Sequence, residues 1–237
     1  EIGRRAQIEE TAEAVVRAMR DGGIASIDDL HFVQVKCPLL TPSKIAAARE
    51  RGCEPVTADT YESMGYSRGA TALGIALATE EAASSALVDD AVLHDWSLSS
   101  AVASVSAGIE LEHNVVIAIG MSAQATSDLV IAHDVMADAI DAEAVRRTMQ
   151  SLGLQGNEGL DRIVNVFCKA EASPDGRVRG MRHTMLGDSD INSTRHARAV
   201  TGAVVASVVG HGMVYVSGGA EHQGPAGGGP IAVIARA

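Results

Sequence analysis

Apolar residues recur at helical spacing over the first stretch of the chain, at Ile8, Ala12, Val15, Val16 and Met19, until Gly22-Gly23 ends the pattern. This predicts an amphipathic helix. The period then changes. His31 to Lys36 reads as a strand, and Thr41 followed by Pro42 supplies an N-cap and a first-turn proline for a helix over Ser43 to Arg51, closed by Gly52. A long helix is expected from about Asp59 to Glu80, rich in small residues that allow close backbone approach. Strands follow at Val102 to Ser106 and Val115 to Gly120, the second an apolar run suited to a sheet covered on at least one face. Asp141 is placed to cap a helix over Ala142 to Leu152. The scheme then recurs: strand Arg162 to Lys169, helix from about Asn192 to Val209, strands Met213 to Val216 and Ile231 to Ala235. The alternation predicts an α/β fold. Two units are expected, residues 1–125 and 126–237, linked within about 121–159 with a boundary signal near Gly153 to Gly159.

Composition adds constraints. The chain has 237 residues, 46% of them apolar, enough for a sizeable globular core. With so few aromatics, that core must be built from Ala, Val, Ile, Leu and Met around abundant Gly. A net charge of −11 without a basic run gives no electrostatic footprint for nucleic acid. No apolar run reaches the length of a membrane span and no signal peptide is visible. Cys37, Cys53 and Cys168 make an odd number without CxxC spacing, which points to a reducing, cytoplasmic setting. The start at Glu1-Ile2-Gly3, with no Met, reads as part of something longer.

The chemistry lies in a repeat. Ser106-Ala107-Gly108-Ile109-Glu110 and Ser217-Gly218-Gly219-Ala220-Glu221 each follow an apolar strand. Upstream, Lys36 ends the first apolar run and Arg68 opens Arg68-Gly69-Ala70-Thr71; Lys169 and Arg198-Ala199-Val200-Thr201 repeat that order. Two copies of Lys, Arg-x-x-Thr and Ser-small-Gly predict duplicated units presenting equivalent polar groups to a shared site. A serine activated by a neutral lysine, with backbone N–H groups for an oxyanion, suits acyl chemistry on an amide. From the residues alone Ser106 and Ser217 rank equally as nucleophile. Cys37 and Cys168 flank the lysines but lack a paired histidine, so they read as buried structural thiols. The eight histidines form no H-x-H or H-E-x-x-H pair, which argues against a catalytic zinc centre.

The stretches Phe32-Val33-Gln34-Val35-Lys36-Cys37-Pro38-Leu39-Leu40, Gly65-Tyr66-Ser67-Arg68-Gly69 and Ser217-Gly218-Gly219-Ala220-Glu221-His222-Gln223-Gly224-Pro225 resemble the cyanuric acid hydrolase and barbiturase family of ring-opening amidohydrolases, and the resemblance runs over the whole chain. It implies a pseudo-threefold, three-domain "Toblerone" architecture, of which this chain holds the second and third domains and lacks the first. It further implies Ser106 as nucleophile and Lys36 as its base, with Arg68, Ala107, Lys169, Arg198, Ser217 and Gly218 binding a cyclic imide. No organic cofactor is implied. A structural Mg or Ca ion is, carried by Glu171 and Gln223 with main-chain oxygens near Ala220, Gly224, Pro225 and Gly228; the Gly- and Pro-rich segment over Gly218 to Pro230 fails the P-loop and G-x-G-x-x-G patterns and suits a hard cation. The expected partners are the substrate, the missing domain and three further copies in a homotetramer. The expected reaction is hydrolysis of cyanuric acid to carboxybiuret, then biuret and CO2. Alternatives are action on barbituric acid, a Ser-Lys amidase of linear amides, and a non-catalytic heterocycle-binding module.

Overall fold

The structure, a computed structural model, describes residues 1–154, 159–187 and 191–237. The first helix, α1 (Arg5–Asp21), buries Ile8, Ala12, Val15 and Met19, as its period requires. Strand β1 (Leu30–Cys37) leads through α2 (Pro42–Glu50) to the long α3 (Thr60–Ala78), whose cap Asp59 accepts from the Glu62 N–H at 2.7 Å. Strands β2 (Ala103–Ala107) and β3 (Val115–Gly120) complete a sheet of order β2-β1-β3, with β1 parallel to β2 and antiparallel to β3. On β3 Val116 and Ala118 pack on the core of this sheet, while on the opposite face Val115 and Ile117 are exposed and Ile119 packs between the sheets.

The second sheet is built alike. Strand β4 (Leu129–Met136) and helix α4 (Ala142–Ser151), capped by Asp141, precede β5 (Ile163–Ala170). A short hairpin, β6 (Arg177–Val178) with β7 (Met181–Arg182), leads towards α5 (Ser193–Val209), β8 (Tyr215–Gly218) and β9 (Gly229–Arg236). The order is β4-β9-β5-β8, with β5 parallel to β8 and antiparallel to β9. Thus β8-β5-β9 repeats β2-β1-β3 strand for strand, while β4 is an additional edge. The sequence reading did not mark β4, because His133 and Asp134 interrupt its apolar run. The boundary signal at residues 153–159 lies partly outside the described residues. No described helix is long and apolar enough to cross a membrane.

Each sheet carries its own core, one around Val33, Val35 and Val105 and the other around Val166, Val233 and Val205. Between the sheets, Phe32 packs with Ile131 and Ala232, and its ring lies 5.2 Å from that of Phe167. Helices α1 and α3 cross very closely, since a Cβ on Gly74 would sit 2.5 Å from the Ile8 carbonyl oxygen. Gly74→Ala, stabilising in an exposed helix by about 1 kcal/mol, is therefore expected to destabilise here by about 1–3 kcal/mol through overpacking. Urea unfolding measures the sign.

Candidate active site

The parallel pairing β1/β2 sets Lys36 opposite Ser106, and β5/β8 sets Lys169 opposite Ser217. Parallel neighbours in register point their side chains to the same face, so each repeat juxtaposes one lysine and one serine by backbone geometry alone. The two pairs then differ. Lys169 is 1% exposed, and its Nζ donates to Ser217 Oγ at 3.0 Å, to the Gly218 carbonyl at 3.3 Å and, across to the other sheet, to the Val105 carbonyl at 2.8 Å. Burial, with only partial relief from Glu221, lowers its pKa to about 7. It is neutral in a substantial fraction of molecules near neutrality. Lys36 is exposed, and Ser106 Oγ is buried without a hydrogen-bond partner.

The arginines separate in the same way. Arg68, on α3, reaches the turn of the second repeat: Nε donates to Glu221 Oε2 at 2.7 Å and Nη2 to Oε1 at 2.5 Å. This is the forked, charge-assisted arrangement that leaves Nη1 for another partner. Burial alone would lower the guanidinium, but the Glu221 carboxylate overrides it and holds Arg68 charged. Burial likewise works against the Glu221 anion, and the Arg68 bonds keep its carboxyl below the usual range. Arg198, on α5, is exposed, with Nε donating to the Val216 carbonyl at 3.1 Å. The structure thus brings Arg68, Lys169, Ser217 and Gly218 together around Glu221, with Lys36, Ser106 and Ala107 at the matching positions of the first sheet.

Cys37 and Cys168 are buried thiols, and burial raises the first and pushes the second up to about 12.

Two groups escaped the sequence reading. Glu221 stands in the repeated motif, and its recurrence with Glu110 was the available signal. His222 is buried, accepts from the Leu93 N–H at 2.9 Å, bonds the Leu98 carbonyl at 2.7 Å and stacks on Trp96, which fastens the turn to the segment preceding β2. Nothing local announces such a contact.

The residues expected to hold an ion lie beside this cluster. Glu171 accepts from the Ala172 N–H at 3.0 Å and the Ala220 N–H at 3.2 Å, and burial followed by Glu221 raises its carboxyl. The Gln223 side-chain oxygen accepts from Val105 N–H at 2.6 Å, and the Ala220 and Pro225 carbonyls each accept one backbone bond. Each such oxygen keeps a second lone pair. One carboxylate among neutral oxygens fits a hard cation, and no cluster of three or more His, Cys, Asp or Glu suited to a metal occurs among the described residues.

Comparison with known proteins places this geometry. A family model described as the amidohydrolase ring-opening proteins matches residues 1–236, and the chain belongs to that family. It is 83% identical over 237 residues to a cyanuric acid amidohydrolase of Pseudomonas sp. (strain ADP), covering all of this chain and 65% of the relative. It is 62% identical to a cyanuric acid amidohydrolase of Enterobacter cloacae, again covering 65% of that protein. A solved cyanuric acid hydrolase, described as an evolutionary innovation by structural concatenation, superposes with a TM-score of 0.95 at 83% identity over 100% of this chain and 65% of the other. The cyanuric acid hydrolase of A. caulinodans superposes with a TM-score of 0.92 at 53% identity, over 99% of this chain and 67% of that one. The chain therefore spans about 65% of the length of these curated relatives.

Proposed function

We propose that the intact protein containing this chain opens the ring of cyanuric acid by hydrolysing one of its amide C–N bonds. The observation that carries the reading is 83% identity along the whole chain to a cyanuric acid amidohydrolase, with both Lys–Ser register pairs present. Ser106 Oγ adds to a ring carbonyl carbon while Lys36 takes its proton. The tetrahedral oxyanion collapses, the ring C–N bond breaks, and the leaving nitrogen receives the proton. Water then cleaves the resulting ester to release carboxybiuret, which loses CO2 to give biuret. Arg68, Arg198, Lys169, Ser217, Gly218 and Ala107 supply donors to the remaining oxygens of the flat ring, each charge-assisted bond being worth roughly 1.5–3 kcal/mol when buried. No organic cofactor enters. The reading takes residues 1–125 and 126–237 as the second and third of three domains, in a cytoplasmic homotetramer.

One observation favours a second assignment of roles. Lys169 Nζ lies 3.0 Å from Ser217 Oγ, within reach of its proton, and has its pKa lowered to about 7, as an activating base requires. In that version Ser217 attacks and the first pair binds. Turnover assays of the intact protein with cyanuric and barbituric acid, with product analysis, test the substrate. Biuret from the first and no ring opening of the second is expected; faster opening of barbituric acid transfers the reading to that substrate, and no turnover of either ends it.

The ion belongs to the same proposal. Glu171, Gln223 and main-chain oxygens at Ala220, Gly224, Pro225 and Gly228 would hold a Mg or Ca ion that fixes the turn carrying Glu221. Adding the cation at about a hundred times its dissociation constant is expected to stabilise the intact protein by about 2.7 kcal/mol. Glu171→Gln removes that increment in a thermal melt; an equal response in both proteins excludes the site.

A further inference from the structure

The two copies of the Ser-small-Gly-x-Glu turn are identical in plan and unlike in what they hold. In the second, the Arg68 guanidinium of the other repeat lies directly on the turn. A Cβ built on Gly219 would meet Arg68 Nε at 2.9 Å and Cζ at 3.0 Å, and the residue sits at φ +78°. The glycine makes the seat and Glu221 closes it with two bonds to the guanidinium. The corresponding space over Gly108 is filled by the turn's own Glu110 carboxylate, whose oxygens lie 2.5 and 2.6 Å from the position a Cβ would take. Glu110 is exposed and makes no ion pair among the described residues, and Arg198, the counterpart of Arg68, is exposed too. One arginine seat lacks an arginine from another repeat, and Arg198 stays on its own repeat, its stem against Gly218 and its Nε on the Val216 carbonyl, without reaching another turn.

The sheets carry the same message. In the second sheet β4 lies outside β9 and immediately precedes α4. In the first sheet β3, the counterpart of β9, is an edge strand with Val115 and Ile117 exposed. The curated relatives are longer by about a third of their length, which is close to the spacing between the two copies.

We propose that the turn is an arginine latch between successive repeats, that Gly108 and Glu110 receive the arginine of a third repeat outside this chain, and that Arg198 enters that repeat's own turn. In the intact protein a strand preceding α1, as β4 precedes α4, pairs with the free edge of β3. The inference rests on the reading that the intact protein carries a third copy of this design. The latch also accounts for the two lysines: the contact closed by Arg68 brings Val105 over Lys169, and Lys36 is covered by the equivalent contact.

The test is thermal unfolding of Glu110→Gln, Glu221→Gln and the exposed control Glu50→Gln, each made in this chain and in the intact protein. In this chain Glu221→Gln lowers the midpoint and Glu110→Gln leaves it unchanged. In the intact protein both lower it, by about 5 °C, while Glu50→Gln does not. If Glu110→Gln is as silent as Glu50→Gln in the intact protein, the latch is wrong. Should Glu221→Gln fail to fold, the comparison of Glu110→Gln with Glu50→Gln decides alone. The midpoint requires no substrate, so loss of the cyanuric acid reading leaves this result standing, and a silent Glu110→Gln leaves that reading standing.

Discussion

Under the proposed mechanism, Ser106→Ala in the intact protein is expected to abolish opening of cyanuric acid, with a loss in kcat on the order of 10⁶, the cost of deleting a serine nucleophile in an enzyme that depends on one. The unfolding free energy is expected to change by less than about 0.5 kcal/mol, because Ser106 Oγ has no hydrogen-bond partner to lose. Ser217→Ala behaves differently. Its hydroxyl is the acceptor that Lys169 bonds at 3.0 Å, and removing one buried, charge-assisted bond of about 1.5–3 kcal/mol reduces activity roughly ten- to a hundredfold. Steady-state kinetics on both variants separates the assignments. If Ser217→Ala shows the larger loss and Ser106→Ala keeps substantial turnover, Lys169 and Ser217 are the nucleophilic pair.

The second large effect is on stability and its pH dependence. Lys169 has a pKa of about 7 when folded, against 10.5 for a lysine in water. Between those values the unfolded chain binds the extra proton and the folded chain does not, so stability rises with pH across that window. Below about pH 7 both states are protonated and the burial penalty is complete. The slope contributed by this one group approaches about 1.4 kcal/mol per pH unit in mid-window. Lys169→Met removes that slope, at the expense of leaving the Val105 and Gly218 carbonyls without their lysine donor. Urea unfolding of both proteins at pH 7 and pH 9 measures it. Parallel pH profiles would show that Lys169 is not buried as a neutral amine.

What the sequence made legible follows from the range over which its signals act. Caps and periods are local, so Thr41, Asp141 and the limits of β3 could be read directly. The repeat carried more, because two copies of Lys, Arg and Ser-Gly at matching intervals imply equivalent placement whatever the fold. It did not carry the partnerships. Arg68 and Glu221 stand 153 positions apart, and no periodicity couples residues on different sheets. Nor could the pattern tell Lys36 from Lys169: both end apolar strands opposite a serine, and only packing of the second sheet against Val105 buries one of them. Strand β4 was hidden for a related reason. It is an edge strand with polar residues in its second half, so its pairing with β9 is visible only once the sheet is formed.

In the proposed mechanism a serine of the repeated turn carries the ring-derived acyl group. The most direct test is mass spectrometry of the intact protein, quenched in acid during turnover of cyanuric acid and digested to locate any added mass. An acyl adduct is expected on the peptide containing Ser106, and none in Ser106→Ala. An adduct on Ser217 would reverse the roles of the two pairs, and turnover with no adduct on either serine would contradict the serine mechanism.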